Sequence, residues 1–205
     1  MLTVDNINYY KNQQKIFENL GFSIGIQSCL ILTGKNGSGK SSLLKIIAGI
    51  IKPDSGKILW NNQDVSELSA EYLSDIQYIG HKNFLKEQLT VVENLSFYCD
   101  LSDTGMLIPA ALKYFNLEQI ADSKLYKLSA GWQQRVMLAK LLCCPSLIWL
   151  LDEPSSNLDK AGKELLFNLI SARIKDGGIV LITTHDNIFD PLGAKICLED
   201  FNIDS

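Results

Sequence analysis

Gly34-Lys35-Asn36-Gly37-Ser38-Gly39-Lys40-Ser41 is the stretch that decides the fold. It fits GxxxxGK[ST], a loop built to hold polyphosphate. Ahead of it, residues 29–33 form a short apolar run suited to a buried strand, and residues 42–51 behind it repeat apolar side chains at helical spacing. The local order is strand, glycine loop, helix. Glycines permit backbone conformations that a Cβ forbids and let successive N–H groups converge on phosphate oxygens. The following helix adds the positive end of its dipole. Lys40 supplies a mobile point charge for β- and γ-phosphates, and the Ser41 hydroxyl is suited to Mg²⁺. The expected nucleotide-binding set is Gly34, Lys35, Asn36, Gly37, Ser38, Gly39, Lys40, Ser41 and Ser42.

The rest of the composition is that of an ordinary globular protein. A chain of 205 residues, 46% hydrophobic and 20% charged, is long enough for one large domain or two small lobes around a real core. A net charge of −4 provides no field to gather nucleic acid, and no basic block stands out. Cysteines at 29, 99, 143, 144 and 197 are odd in number and contain no CxxC pair, so reduced buried thiols in a cytosolic protein are expected. No apolar run reaches the roughly 18–20 residues that span a bilayer, and the first residues lack a signal pattern. Contact with a membrane is therefore expected only through a partner.

Apolar or alternating runs predict strands at 2–9, 21–26, 28–33, 57–60, 76–80, 147–151, 179–183 and 195–198. Helical spacing predicts helices at 91–98, 107–115 and 132–142, so strands enclose a helical insert. This is the pattern of a parallel sheet covered by helices, which binds ligand at the carboxyl ends of its strands. Residues 200–205 read as a polar tail without a role.

Two further strand ends carry chemistry. The apolar run 147–151 ends in Asp152 and Glu153, where Asp152 suits Mg²⁺ and Glu153 suits orientation of the water that attacks a γ-phosphate. The run 179–183 leads through Thr184 to His185, whose imidazole can hydrogen-bond phosphate and water, although a histidine in such a place is often structural. Between them, Leu128-Ser129-Ala130-Gly131-Trp132 precedes a helix containing Gln133, Gln134 and Arg135, a second anion-binding helix start. These parts invite the inference that two copies share each nucleotide, which the spacing alone does not establish.

Over nearly its whole length the chain resembles the ATP-binding subunits of ABC transporters. Residues 34–41 look like the Walker A loop, 147–153 like Walker B with its glutamate, and 128–132 like the LSGGQ signature. Ser156-Asn157-Leu158-Asp159 resembles the D-loop and His185 the switch histidine. The resemblance implies an α/β fold: a P-loop NTPase of ABC ATPase type, with a mixed sheet core and helices plus an α-helical subdomain. The ATPase core would be 1–83 and 143–205, and the helical subdomain 84–142. It further implies ATP and Mg²⁺ as ligands, Glu153, His185 and His81 as catalytic groups, and Ser41 and Asp152 at the metal. In a head-to-tail dimer, Ser129, Ala130 and Gly131 of one copy would face the γ-phosphate held by Lys40 of the other.

Three departures accompany the match. His81 replaces the glutamine that normally follows the 76–80 strand, touching Mg²⁺ and sensing the membrane subunit. The signature reads LSAGW, with Ala130 for glycine and Trp132 for glutamine. The adenine-stacking aromatic is open between Tyr9 and Tyr10, and strand packing explains either equally well. Tyr78 to His81 (YIGH), Leu89 to Tyr98 (LTVVENLSFY), LSAG followed by glutamines and arginine, and the TTH segment resemble the CcmA-type subgroup, which serves cytochrome c maturation and is often named a heme exporter. That resemblance implies a CcmB-type integral membrane subunit and a place on the cytoplasmic face of the bacterial inner membrane. No residue reads as a heme ligand. An ABC ATPase serving another small substrate shares every motif, because substrate choice lies in the membrane subunit. A soluble ABC-like ATPase acting on DNA or ribosomes fits less well, because coiled-coil insertions, tandem ATPase domains and basic patches are missing.

Overall fold

The computed structural model describes residues 1–80, 85–100, 104–144 and 146–201. The chain opens with an antiparallel hairpin of β1 (Leu2–Lys11) and β2 (Gln14–Ile24), followed by β3 (Ser28–Thr33), the glycine loop and α1 (Lys40–Ile47). Strands β4 (Ser55–Trp60) and β5 (Gln63–Asp64), helix α2 (Ser69–Ser74) and strand β6 (Ile76–Ile79) come next. Helices α3 (Val91–Asp100), α4 (Ile108–Tyr114) and α5 (Ala130–Cys143) lead to β7 (Ile148–Asp152), α6 (Lys160–Lys175), β8 (Ile179–Thr183) and β9 (Ala194–Cys197).

These strands form two sheets, one antiparallel in the order β2-β1-β4-β5 and one parallel in the order β6-β7-β8-β3-β9. The parallel sheet explains the uninterrupted apolar runs, because both of its faces are covered. Leu30, Leu32, Ile148, Leu150, Ile179 and Leu181 point into one core, shared with α1 and the antiparallel sheet. Their neighbours Cys29, Ile31, Trp149, Leu151, Val180 and Ile182 point into the other, shared with α3 to α6. Alternation of side chains across a strand thus divides one apolar run between two cores.

Strands β3 and β8 occupy the predicted residues, and the other predicted strands shift at their ends. The N-terminal strands separate into their own antiparallel sheet, and β2 begins seven residues before the predicted 21, at Gln14. Asn12 and Gln13, at φ 51° and 66°, make the hairpin turn, a left-handed pair without the glycine that usually announces one. Helix α6 carries no sequence prediction. It starts where Asp159 Oδ1 accepts the N–H of Gly162 at 2.8 Å, and it buries Leu166, Leu169 and Ile170. The expected tail does not begin at residue 200, because Leu198–Phe201 form a 3-10 turn with Leu198 buried and Phe201 packed on the second core, and residues 202–205 lie outside the described residues.

Candidate active site

Register aligns the chemistry at the carboxyl edge of the parallel sheet. Leu32 of β3 and Asp152 of β7 both pair with Thr183 of β8, which places the glycine loop beside the acidic strand end. Gly39, at φ 97°, turns the loop into α1, and a Cβ there would lie 2.4 Å from Ile16 Cγ2 and 2.9 Å from the Phe17 ring. Only glycine fits that close approach. Inside the loop, Lys40 Nζ donates to the carbonyl oxygens of Gly34 at 2.6 Å and Lys35 at 3.0 Å. The Ser38 hydroxyl is buried and lacks a hydrogen-bond partner among the described residues. An orphaned hydroxyl and a buried ammonium in one glycine-rich loop at a helix start fit a polyphosphate.

Asp152 is almost fully buried, and its Oδ1 accepts the Thr183 hydroxyl at 2.7 Å. Tyr78 of β6 lies near the same carboxylate; burial first, then the charge of Asp152, raises its phenol above the ordinary range. The Thr183 hydroxyl therefore holds the rotamer of Asp152, while its carboxylate keeps lone pairs for a hard cation. The sequence assigns neither residue a role here: Thr183 reads as the end of an apolar strand, and Tyr78 as part of the 76–80 strand and of the YIGH segment.

Glu153 adopts φ 50°, a left-handed conformation uncommon for a residue with a Cβ. The turn is held by its N–H, which points at Thr183 O at 3.0 Å and Oγ1 at 3.1 Å. His185 Nε2 lies 3.7 Å from Glu153 Oε1. Burial pushes the Glu153 carboxyl above its usual range, Asp152 adds to that, and His185 and Lys40 pull it back. Glu153, His185, Ser155, Ser156, Asn157, Lys163 and Asp186 line an open cleft of about 810 Å³. Asp186, the residue after the histidine, pairs with Lys163 of α6 and caps the turn that follows, accepting from the N–H of Ile188 at 3.3 Å.

The signature segment lies in a second cleft of about 280 Å³, lined by Ser129, Gly131, Trp132, Arg135, Asn157 and Asp159. Within one copy, then, Ser129 and Gly131 are not grouped with Glu153 and His185. Ser129 caps α5, accepting from Trp132 N at 3.5 Å, which places Ala130 and Gly131 at the N-terminus of that 14-residue helix. A Cβ on Gly131 would lie 2.8 Å from Asn157 O, so the signature packs directly on the D-loop segment. Arg135 secures that contact. Its guanidinium is buried, donates to Asp159 Oδ1 at 2.6 Å and Phe115 O at 3.4 Å, and lies 5.0 Å from the centre of the Trp132 ring. Tyr9 lies half-buried with its ring centroid 5.7 Å from that of Phe17, while Tyr10 is exposed. His81 lies outside the described residues.

A glycine loop between a parallel strand and a helix, with a carboxylate pair on the neighbouring strand edge, defines a nucleotide-binding ATPase. The ABC transporter family model matches residues 17–156. The chain is 41% identical over 187 residues to the cytochrome c biogenesis ATP-binding export protein CcmA of Wolbachia pipientis wMel, covering 91% of this chain and 90% of that relative. It is 37% identical over 203 residues to the protein of that name from Paramagnetospirillum magneticum, covering 97% and 94%. Among solved structures, the ATP-binding cassette MJ0796 in a dimeric post-hydrolysis state bound to ADP and Pi superposes with a TM-score of 0.85 at 27% identity, covering 96% of this chain and 94% of that one. The chain belongs to the ABC transporter family of ATP-binding subunits and, within it, to the CcmA group.

Proposed function

We propose that the chain hydrolyses ATP to drive an export complex for cytochrome c biogenesis, with the moving parts in a membrane subunit of CcmB type. The carrying observation is Glu153, set by a left-handed turn at a strand end within electrostatic reach of both Lys40 and His185. The names borne by the relatives supply the process. No helix among the described residues is long and apolar enough to cross a membrane. The proposed location is accordingly the cytoplasmic face of the bacterial inner membrane, held there by the partner.

In the proposed mechanism residues 34–42 wrap the phosphates, and Lys40 fixes the β- and γ-phosphate oxygens. Mg²⁺, when bound, would be held by Ser41 and Asp152, whose hydroxyl and carboxylate oxygens suit a hard cation, and would draw charge from the phosphates. Thr183 keeps Asp152 in place. Glu153 orients a water for in-line attack, its carboxylate accepting a proton of that water in a hydrogen bond. His185 bridges this carboxylate to the γ-phosphate. Catalysis rests on positioning and electrostatics, since little covalent work falls to the protein.

A second copy completes the site. Ser129, Ala130 and Gly131 offer a hydroxyl and helix-start N–H groups, and the cassette MJ0796 is described as a dimer. We assign residues 84–142 to a helical subdomain that carries the signature, with 1–83 and 143–205 as the ATPase core. His81, where the family carries glutamine, is assigned to coupling with the membrane subunit on sequence alone. Co-purification from native membranes tests the whole assignment: a CcmB-type partner is expected, and a permease of another class would overturn the cytochrome c reading.

A further inference from the structure

One peptide unit of the phosphate loop is held at both ends by side chains of opposite charge. Between Gly34 and Lys35, the carbonyl oxygen accepts from Lys40 Nζ at 2.6 Å, and the N–H donates to Glu199 Oε1 at 2.7 Å. Glu199 reaches the loop by construction. Strand β9 runs parallel to β3 with Thr33 opposite Cys197, and Thr33 Oγ1 donates to Ile196 O at 3.2 Å. The next residue, Leu198, is fully buried, and its Cβ lies 3.8 Å from the place a Gly34 Cβ would take.

We propose that Glu199 is a positioning residue for the phosphate loop, holding the Gly34–Lys35 peptide in the orientation that aims Lys40 at phosphate. The proposal rests on the reading of residues 34–41 as the ATP-binding loop. An ammonium has three donors, and two are taken by the carbonyl oxygens of Gly34 and Lys35, so their placement sets the direction of the third. Gly34, at φ 141°, imposes little on that peptide by itself. A flipped peptide would turn its carbonyl against the Glu199 carboxylate and its N–H against the Lys40 ammonium. The wrong orientation is thus disfavoured twice. The ion pair between Glu199 and the Lys35 side chain, at 3.9 Å with Lys35 exposed, adds little.

The test is equilibrium titration of the full chain with a fluorescent ATP analogue, using E199A, E199Q and E199D beside K40A. E199A is expected to weaken binding roughly fivefold, less than the full worth of a charge-assisted hydrogen bond because the loss reaches ATP only through Lys40. E199Q keeps an acceptor oxygen in place and is expected to recover most of the affinity, a rescue that a merely packing role would not demand of the carbonyl. K40A is expected to lose binding. Wild-type affinity in E199A with loss in K40A overturns the role of Glu199 and leaves the loop standing. Wild-type affinity in K40A removes the loop assignment and this proposal with it. Should E199A fail to fold, E199D decides: its acceptor is withdrawn by one methylene, and affinity equal to wild type overturns the proposal.

Discussion

The imidazole of His185 stands 3.7 Å from the carboxylate of Glu153, on a strand end next to the one that carries Asp152. The pair makes Glu153 the residue whose removal should separate binding from turnover. Glu153→Gln is expected to bind ATP with near wild-type affinity and lose at least about 100-fold in steady-state phosphate release. The pH dependence has a definite sign. Burial raises the carboxyl above its ordinary 4.5, so turnover in the wild-type complex should fall with acidity while the pH is still above that value. Undiminished hydrolysis by the Gln variant would remove Glu153 from the mechanism.

Trp132 offers a built-in optical report of pairing between copies. It is 36% exposed, whereas Trp60 and Trp149 are buried at 7% and 3%. If two copies close over ATP, the Trp132 ring leaves water. The expected result is a blue shift of emission when ATP is added to the Glu153→Gln chain, absent from the same chain carrying Trp132→Phe. An unchanged spectrum with the chain saturated by ATP would count against closure through the signature face.

Lys140 of α5 is nearly buried, its Nζ 3.5 Å from the centre of the Tyr98 ring. Burial lowers its pKa from 10.5 to about 8, with Cys144 pulling the other way. The folded state therefore holds fewer protons than the unfolded chain between about 8 and 10.5, and folding stability from this group rises with pH across that window. Below it the charged lysine carries its full desolvation cost. Lys140→Met should melt higher than wild type at neutral pH, with the gap narrowing toward the top of the window. Thermal melts at three pH values check this, and a gap that widens with pH would refute it.

Leu150 sits in the middle of β7 and is fully buried against the α1 side of the sheet. Leu150→Ala is expected to cost about 3 kcal/mol through the cavity it leaves. For a chain of this size that lowers Tm by roughly 6 to 12 °C. A melt within 2 °C or so of wild type would mean that the two cores repack far more freely than interiors of ordinary density do.

Periodic and motif-bearing segments were the legible ones. Residues 28–33 and 179–183 read as buried strands because both faces of the parallel sheet are covered, and the loop at 34–41 names its own chemistry. The antiparallel hairpin was harder, since Gln14, Lys15, Glu18 and Asn19 hide a strand among polar residues and its turn lacks glycine. Helix α6 escaped because its buried face is a narrow set around Leu166, Leu169 and Ile170, interrupted by charge. In the site, the ends of strands could be read, but hydrogen bonds across them could not. Thr183 on Asp152, and Glu199 on the loop, depend on register between strands distant in sequence.

That register also bears on how the protein is made. Strand β3 is flanked by β8 and β9, with Ser28 opposite Ile179 and Leu30 opposite Ala194. While the chain emerges from a ribosome, the N-terminal hairpin can close on its own neighbours, yet the strand bearing the phosphate loop has no edge to pair with until β8 and β9 appear. Pairing at such long range is slow. The loop is encoded early and finished late, so a nascent chain should acquire its grip on ATP abruptly, once β8 and β9 have emerged.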